Sequence, residues 1–189
     1  MKQQFLILVA ATALLAQSAL ATDFKREIPE ATWEPIFFES INRLTTRAGW
    51  TPLRKEPLPQ GSVELRIWIG FGLSPLKGFS LRRDDSKWIG SSIADNGAAK
   101  SADVQQVTPK SGWERFWGQL IKLGVITLPD SSALPNEAML TDGVSYVVEV
   151  NQDGHYRTYE YSNPQHQKWP EAKKIRQIAE LFYDELARK

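Results

Sequence analysis

The chain of 189 residues contains no cysteine and only two histidines, His155 and His166. Without cysteine it has no disulfides, no thiol nucleophile and no thiolate ligands for a metal ion. Two histidines also leave little for a histidine-rich metal site. We therefore predict no metal site and no cofactor, and a stability that depends on a packed core. Seven tryptophans, five tyrosines and eight phenylalanines, apart from Phe5 near the N-terminus, can supply that core, because aromatic side chains bury large areas.

An excess of charge of one sign is also missing. The chain has 23 basic and 22 acidic residues, and only Lys2 among them lies within residues 1–21, so the remaining 168 residues have a formal net charge of zero. Nucleic-acid binding needs a basic surface, and we therefore predict no nucleic-acid partner. No second long apolar run follows residue 21, so we expect no transmembrane segment in that part.

Residues 1–21 have the features of a cleavable secretory signal. One positive charge precedes a short apolar run over 5–16, and Ala19 and Ala21 form a small-residue cleavage pattern. The run is shorter than the ~20 apolar residues that a membrane anchor needs. We predict cleavage after Ala21 and an exported protein of the periplasm or the medium.

The rest of the chain divides into an N-terminal part over 22–62 and a core over 63–189. Residues 22–31 are polar and predict a loose arm, and apolar residues at helical spacing predict a helix near 33–45. Three prolines within 49–61 predict a connector without regular structure.

Alternating side chains predict the strands of the core. The clearest strand covers 63–71, and strands near 76–83 and 87–93 follow with short links, which favours an antiparallel meander. A further short strand is predicted near 104–107.

A hairpin is predicted over 144–150 and 155–161. The Asp-Gly pair at 153–154 between these segments is a strong signal for a two-residue turn. Such a turn sets Val148 opposite Tyr159 and places both on one buried face.

Two more helices, near 112–123 and 170–187, each carry one apolar stripe. Ser111, followed three residues later by Glu114, has the form of a capping box for the first of them. Strands with one buried face and helices with one stripe favour two packed layers. We therefore predict a single α+β domain with a mainly antiparallel sheet of about five strands, packed with amphipathic helices.

The face of strand 63–71 opposite its aliphatic residues is the candidate ligand surface. Arg66 and Trp68 point to this face, and Arg82 and Trp88 are expected nearby if the strands form a meander. An aromatic ring flanked by charged hydrogen-bonding groups suits sugars or peptides. The competing interpretation is that a helix covers this face and that Trp68 belongs to the core.

The sequence contains no recognisable catalytic motif, so the catalytic residues stay unknown. It has no Gly-x-Ser-x-Gly, phosphate-binding loop, calcium loop or zinc helix motif. The first hypothesis is a non-catalytic binding or interaction module whose partner is a protein, peptide or glycan of the cell envelope. The second is a small envelope hydrolase that uses scattered carboxylates or His155, although the sequence shows no acidic partner for that histidine.

Five stretches within residues 60–187 carry a resemblance to known sequences. They are ELRIWIGFG (64–72), DGVSYVVEV (142–150), YRTY (156–159), NP (163–164) and EAK (171–173). Together they resemble a group of small exported bacterial proteins that has no assigned function. The resemblance implies no reaction, ligand or catalytic residue.

Overall fold

The structure is a computed structural model of the chain, and it describes residues 24–29, 36–71, 74–97, 101–135 and 143–186. The predicted signal segment 1–21 lies outside these residues. The described elements are the strands β1 (Lys25–Glu27), β2 (Val63–Gly70), β3 (Lys77–Asp84), β4 (Lys87–Asn96), β5 (Ser101–Gln106), β6 (Ser145–Gln152) and β7 (His155–Ser162), and the helices α1 (Phe38–Arg47), α2 (Trp113–Lys122) and α3 (Pro170–Leu186).

The seven strands form one mixed sheet in the order β1-β7-β6-β2-β3-β4-β5. Neighbouring strands are antiparallel except for β1, which runs parallel to β7. The α+β class is thus confirmed, whereas the prediction of about five strands is only approximate. β1 lies in the segment for which the sequence predicts a loose arm. Three residues are too few to show a hydrophobic period, so the sequence carries no signal for this strand.

The β6–β7 hairpin has the predicted register, with Val148 opposite Tyr159. Asp153 and Gly154 have φ angles of 51° and 75°, and a type I′ turn requires positive φ at both of these positions. Tyr159 is completely buried, and its hydroxyl donates a hydrogen bond to the carbonyl oxygen of Val125 at 2.7 Å. The turn therefore decides which side chains of β7 enter the core.

Helices cover both faces of the sheet, so the domain has three layers and the prediction of two layers is wrong. Helices α2 and α3 pack on one face, and α1 packs on the other. Burying one large apolar side chain stabilises the fold by about 1.5–3 kcal/mol, which favours a helix wherever a face carries such side chains. We name the faces after β2: Leu65, Ile67 and Ile69 lie on the aliphatic face, and Glu64, Arg66 and Trp68 lie on the polar face.

Helix α2 begins at Trp113 without a side-chain cap, so the predicted capping box is wrong. The backbone N–H of Ser111 donates a hydrogen bond to the carboxylate of Glu185 in α3 at 2.8 Å. Glu114 accepts one from the indole N–H of Trp88 at 2.9 Å. Both residues therefore connect α2 to other elements instead of closing its first turn.

Candidate functional site

Trp68 lies inside the protein, and the interpretation that places it in the core is therefore correct. Its exposed fraction is 0%, and it shares a buried cluster with Phe38 and Ile41 of α1. Its indole N–H donates a hydrogen bond to the carboxylate of Glu149 at 2.6 Å. A ring in this position has no face open to a ligand, so the prediction of Trp68 as part of a ligand surface does not agree with the structure.

Trp88 lies on the aliphatic face and is not a neighbour of Trp68. The turn between β3 and β4 pairs Arg83 with Trp88, and a shift of one residue in this register would have placed Trp88 on the polar face. The ring of Trp88 stacks on Trp113, with centroids 5.5 Å apart and an interplanar angle of 4°, and also contacts Trp117. The predicted grouping of four ligand-binding side chains is therefore divided between two faces.

Arg66 and Arg82 meet on the polar face through the carboxylate of Glu64. Two guanidinium nitrogens of Arg66 lie 2.7 Å from Oε1 of Glu64, which also accepts a hydrogen bond from Ser80 at 2.9 Å. Arg82 lies opposite Glu64 in the β2–β3 pair, with Nη1 3.6 Å from Oε2. On its other side, Nε of Arg82 contacts Asp84 at 2.8 Å.

The proline-rich connector folds back over this polar group. The guanidinium of Arg66 donates a hydrogen bond to the carbonyl oxygen of Thr51 at 2.9 Å. The amide of Asn151 in β6 donates to the carbonyl oxygens of Leu53 and Glu56 at 3.0 and 2.9 Å. The space between the connector and the sheet is a cleft of about 240 Å³, which we call the connector cleft; its lining is Thr51, Pro52, Leu53, Glu56, Pro57, Pro59, Glu64, Arg66 and Arg82.

The charges of the connector cleft balance, since Glu56 and Glu64 face Arg66 and Arg82. The hydrogen bond to Asp84 raises the pKa of Arg82 above its ordinary value, and the same bond lowers the pKa of the Asp84 carboxyl. Both groups therefore stay charged over the whole physiological range. About a third of the Arg82 side chain is exposed (36%), against 7% for Arg66, so Arg82 is the cation that a ligand in the cleft would reach.

A second polar group on the polar face is closed to solvent. Glu149 is completely buried and accepts hydrogen bonds from the indole of Trp68 and from the hydroxyl of Tyr156, the latter at 2.8 Å. Burial raises the pKa of the Tyr156 hydroxyl well above its ordinary value, and the neighbouring carboxylate raises it further. The three side chains of this group, Glu149, Trp68 and Tyr156, are thus part of the packed interior.

His155 has an acidic neighbour that the sequence did not indicate. Its Nε2 lies 3.5 Å from Oε2 of Glu27 in β1, and the guanidinium of Arg157 lies 3.8 Å from the other oxygen of that carboxylate. These are ion-pair distances, longer than the ~2.7–3.2 Å of a good hydrogen bond. Within the described part of the chain, no hydroxyl group is hydrogen-bonded to His155.

A carboxylate pair lies beside the second half of β7, which β1 does not reach. Asp130 accepts a hydrogen bond from the backbone N–H of Glu160 at 2.9 Å, and the side chain of Glu160 accepts others from Ser131 and Ser162 at 2.8 and 3.1 Å. Burial raises the pKa of the Glu160 carboxyl, and the nearby Asp130 raises it further. This pair closes the sheet edge with the loop after α2.

The sequence indicated the two arginines of the connector cleft but not the other wall of the cleft. The three prolines predicted a connector without regular structure, and nothing in their spacing shows that it returns to the sheet. Asn151 holds it there, and a single asparagine in a strand carries no sequence signal for that role. Glu27 was missed because its strand pairs with β7 only through a contact between distant parts of the chain.

Comparisons with protein families, with curated proteins and with solved structures found no match for the chain. The resemblance to a group of exported bacterial proteins therefore stays a prediction. Within the described residues, no three histidine or acidic side chains are grouped so that they could hold a metal ion. Among the described helices, none is both long and apolar enough to cross a membrane.

Proposed function

We propose that the chain is an exported, non-catalytic binding protein whose connector cleft takes a short polar segment of a peptide or glycan of the cell envelope. The observation that carries this proposal is the position of Arg82. Its guanidinium is partly exposed at the cleft, and Glu64 and Asp84 hold it from two sides. A charged donor that is already oriented loses little conformational freedom when a ligand binds.

The lining of the cleft favours a ligand without net charge. Two arginines and two glutamates face the same space, so an anion would be attracted by one pair and repelled by the other. Hydroxyl and amide groups can accept from Arg82 and donate to a glutamate at the same time. The rings of Pro52, Pro57 and Pro59 add a rigid apolar wall, against which the C–H face of a sugar can pack.

The size of the cleft limits the ligand further. Its volume of about 240 Å³ is below the roughly 300–1,000 Å³ of sites for drug-sized molecules. One sugar ring or one to two amino-acid residues fit such a space. We therefore expect the cleft to bind one unit of a longer polymer, with the rest of the polymer outside.

Export is the second part of the proposal and has its own test. The charge, apolar run and small residues of segment 1–21 support it. After expression of the full chain, we expect protein that begins at Thr22 in the periplasm or the medium, as N-terminal sequencing would show. Recovery of only the uncleaved chain from the cytoplasm would contradict export.

The binding test is a glycan array together with a library of short peptides, probed with the exported protein. Arg82→Ala is expected to weaken binding roughly tenfold or more, because it removes a charged hydrogen-bond donor. Arg115→Ala, which removes an exposed arginine of α2 far from the cleft, is the matched control and should leave binding unchanged. Equal binding by both variants would exclude the connector cleft as the site.

A small hydrolase is the alternative, and the pairing of His155 with Glu27 is the observation that favours it. If the histidine acts as a general base, His155→Ala should abolish hydrolysis of ester, peptide or glycan substrates. His166→Ala replaces an exposed histidine in the turn Pro164–His166 and serves as the matched control. Hydrolysis that survives His155→Ala would rule out this role.

A further inference from the structure

Strand β5 is an edge of the sheet and pairs only with β4. The backbone N–H of Val107 donates a hydrogen bond to the carbonyl oxygen of Gly90 at the end of this pair, at 3.0 Å. Successive residues of a strand direct their backbone groups to opposite sides, so Ala102, Val104 and Gln106 direct theirs away from β4. Within the described residues, none of these N–H and C=O groups has a hydrogen-bond partner.

The opposite edge of the sheet is protected. Its outer strand, β1, has only three residues, all charged and exposed (Lys25–Glu27), and along the second half of β7 Asp130 accepts a hydrogen bond from the backbone N–H of Glu160. Proteins commonly protect an edge with a very short strand, with charged residues such as lysine, with proline, or by covering it. β5 has neither lysine nor proline, and its one charge is Asp103. The two edges therefore differ, and β5 is the edge without protection against pairing with another strand.

We propose that β5 pairs with β5 of a second copy of this chain, antiparallel and about a two-fold axis at Val104, so that two sheets become one. This interface is separate from the connector cleft and does not depend on the function proposed for it. In this register Val104 lies opposite Val104 of the second copy, and Ala102 lies opposite Gln106. Such a ladder has about six main-chain hydrogen bonds.

The side chains of β5 select this register. Val104 is 39% exposed in one copy and packs on its equivalent across the axis. Asp103 lies opposite Gln105 of the second copy, and the two side chains already form a donor–acceptor pair within one strand, at 3.2 Å. An axis at Asp103 would set the two carboxylates directly opposite each other, which is unfavourable. The strand is thus complementary to itself about an axis at Val104.

Self-complementarity is the reason to name a second copy as the occupant in place of an unrelated extended peptide. A symmetric pair uses the same patch twice, and β5 satisfies this requirement with both its charge and its apolar residue. A contact limited to one strand edge is small, so we expect reversible association that depends on protein concentration.

The absence of cysteine makes a cross-linking test direct. In the proposed register, the Cα atoms of the two Val104 residues lie about 5.5 Å apart, within the range that a disulfide spans. The two Gln106 residues lie roughly 14 Å apart, four residue steps along the strands. Val104→Cys in the exported protein should therefore form a covalent dimer on oxidation, and the matched variant Gln106→Cys should not.

Three results would overturn the proposal. One is a Val104→Cys protein that stays monomeric at the highest soluble concentration while its circular dichroism shows a folded domain. Another is equally fast cross-linking of Gln106→Cys, which would indicate random collision. The last is cross-linking of Val104→Cys only to a different envelope protein, which would identify a peptide segment as the occupant of the edge.

A second pair of variants tests the register through charge and needs no disulfide. Gln105→Asp places the introduced carboxylate opposite Asp103 of the second copy, and the dissociation constant of the dimer should rise roughly tenfold in sedimentation equilibrium. Adding Asp103→Lys to it makes the facing charges opposite and should restore the dimer. If the double variant is as weakly associated as Gln105→Asp alone, the register is wrong.

Discussion

Gly78 provides the sharpest test of how Trp68 is packed. Gly78 of β3 lies opposite Trp68 of β2. A Cβ atom at this glycine would lie 2.5 Å from Cε3 of the Trp68 ring and 3.1 Å from Cγ2 of Ile93. The ring is completely buried and its N–H is hydrogen-bonded to Glu149, so it cannot move aside at low cost. Gly78→Ala therefore forces a clash into the core.

Overpacking of this kind costs about 1–3 kcal/mol. The lower conformational entropy of alanine in the unfolded chain offsets about 0.4–1 kcal/mol of that cost. We expect a net loss of about 1–2 kcal/mol in the free energy of unfolding, measured by urea denaturation with tryptophan fluorescence. For a chain of this size the loss lowers Tm by roughly 2–8 °C.

Gly118 is the matched control for this substitution. It lies in α2, and a Cβ atom there meets no other heavy atom within 4 Å. Gly118→Ala should raise stability by about 0.5–1 kcal/mol, because alanine has the higher helix propensity. A Gly78→Ala protein as stable as the parent would refute the packing described for Trp68.

Two further predictions concern buried polar groups. Tyr156→Phe removes one of the two hydrogen-bond donors to the buried carboxylate of Glu149 and should lower the free energy of unfolding by about 1–3 kcal/mol in urea denaturation. The control Tyr183→Phe, at a partly exposed tyrosine, should change it by less than about 0.5 kcal/mol. Equal effects of the two substitutions would contradict a special role for the buried pair. Burial raises the pKa of Glu160 above its ordinary 4.5, so the folded state binds this proton more tightly than the unfolded state and stability falls as the pH rises from the ordinary to the raised pKa. Glu160→Gln should remove this loss, so its stability relative to the parent should increase over that pH window, and a constant difference at every pH would contradict the shift.

Part of the candidate site was predictable from the local pattern of side chains along a strand. Alternation along β2 correctly separates Arg66 and Trp68 from the aliphatic residues, since the side-chain period of a strand is two. The position of Trp88 depended on the register of the β3–β4 turn. Whether that turn contains an odd or an even number of residues decides the face of the sheet on which Trp88 lies. Sequence alone did not determine that number around Asp84 and Asp85.

Local interactions made several elements predictable from the sequence alone. The Asp-Gly pair at 153–154 determined the hairpin register because its turn geometry depends only on neighbouring residues. The apolar stripe over 170–187 determined helix α3, since a period of 3.6 over 17 residues has no other explanation. The lack of cysteine determined that packing, without disulfides, stabilises the fold.

Contacts between distant parts of the chain decided the rest. Helix α1 covers the polar face and buries Trp68, and the connector at 51–59 returns to the sheet to form a cleft over Arg66 and Arg82. Periodicity shows that a strand has two faces, but it does not show what covers each of them. That choice depends on the total apolar area buried when all the elements pack together, and only the tertiary structure contains this information.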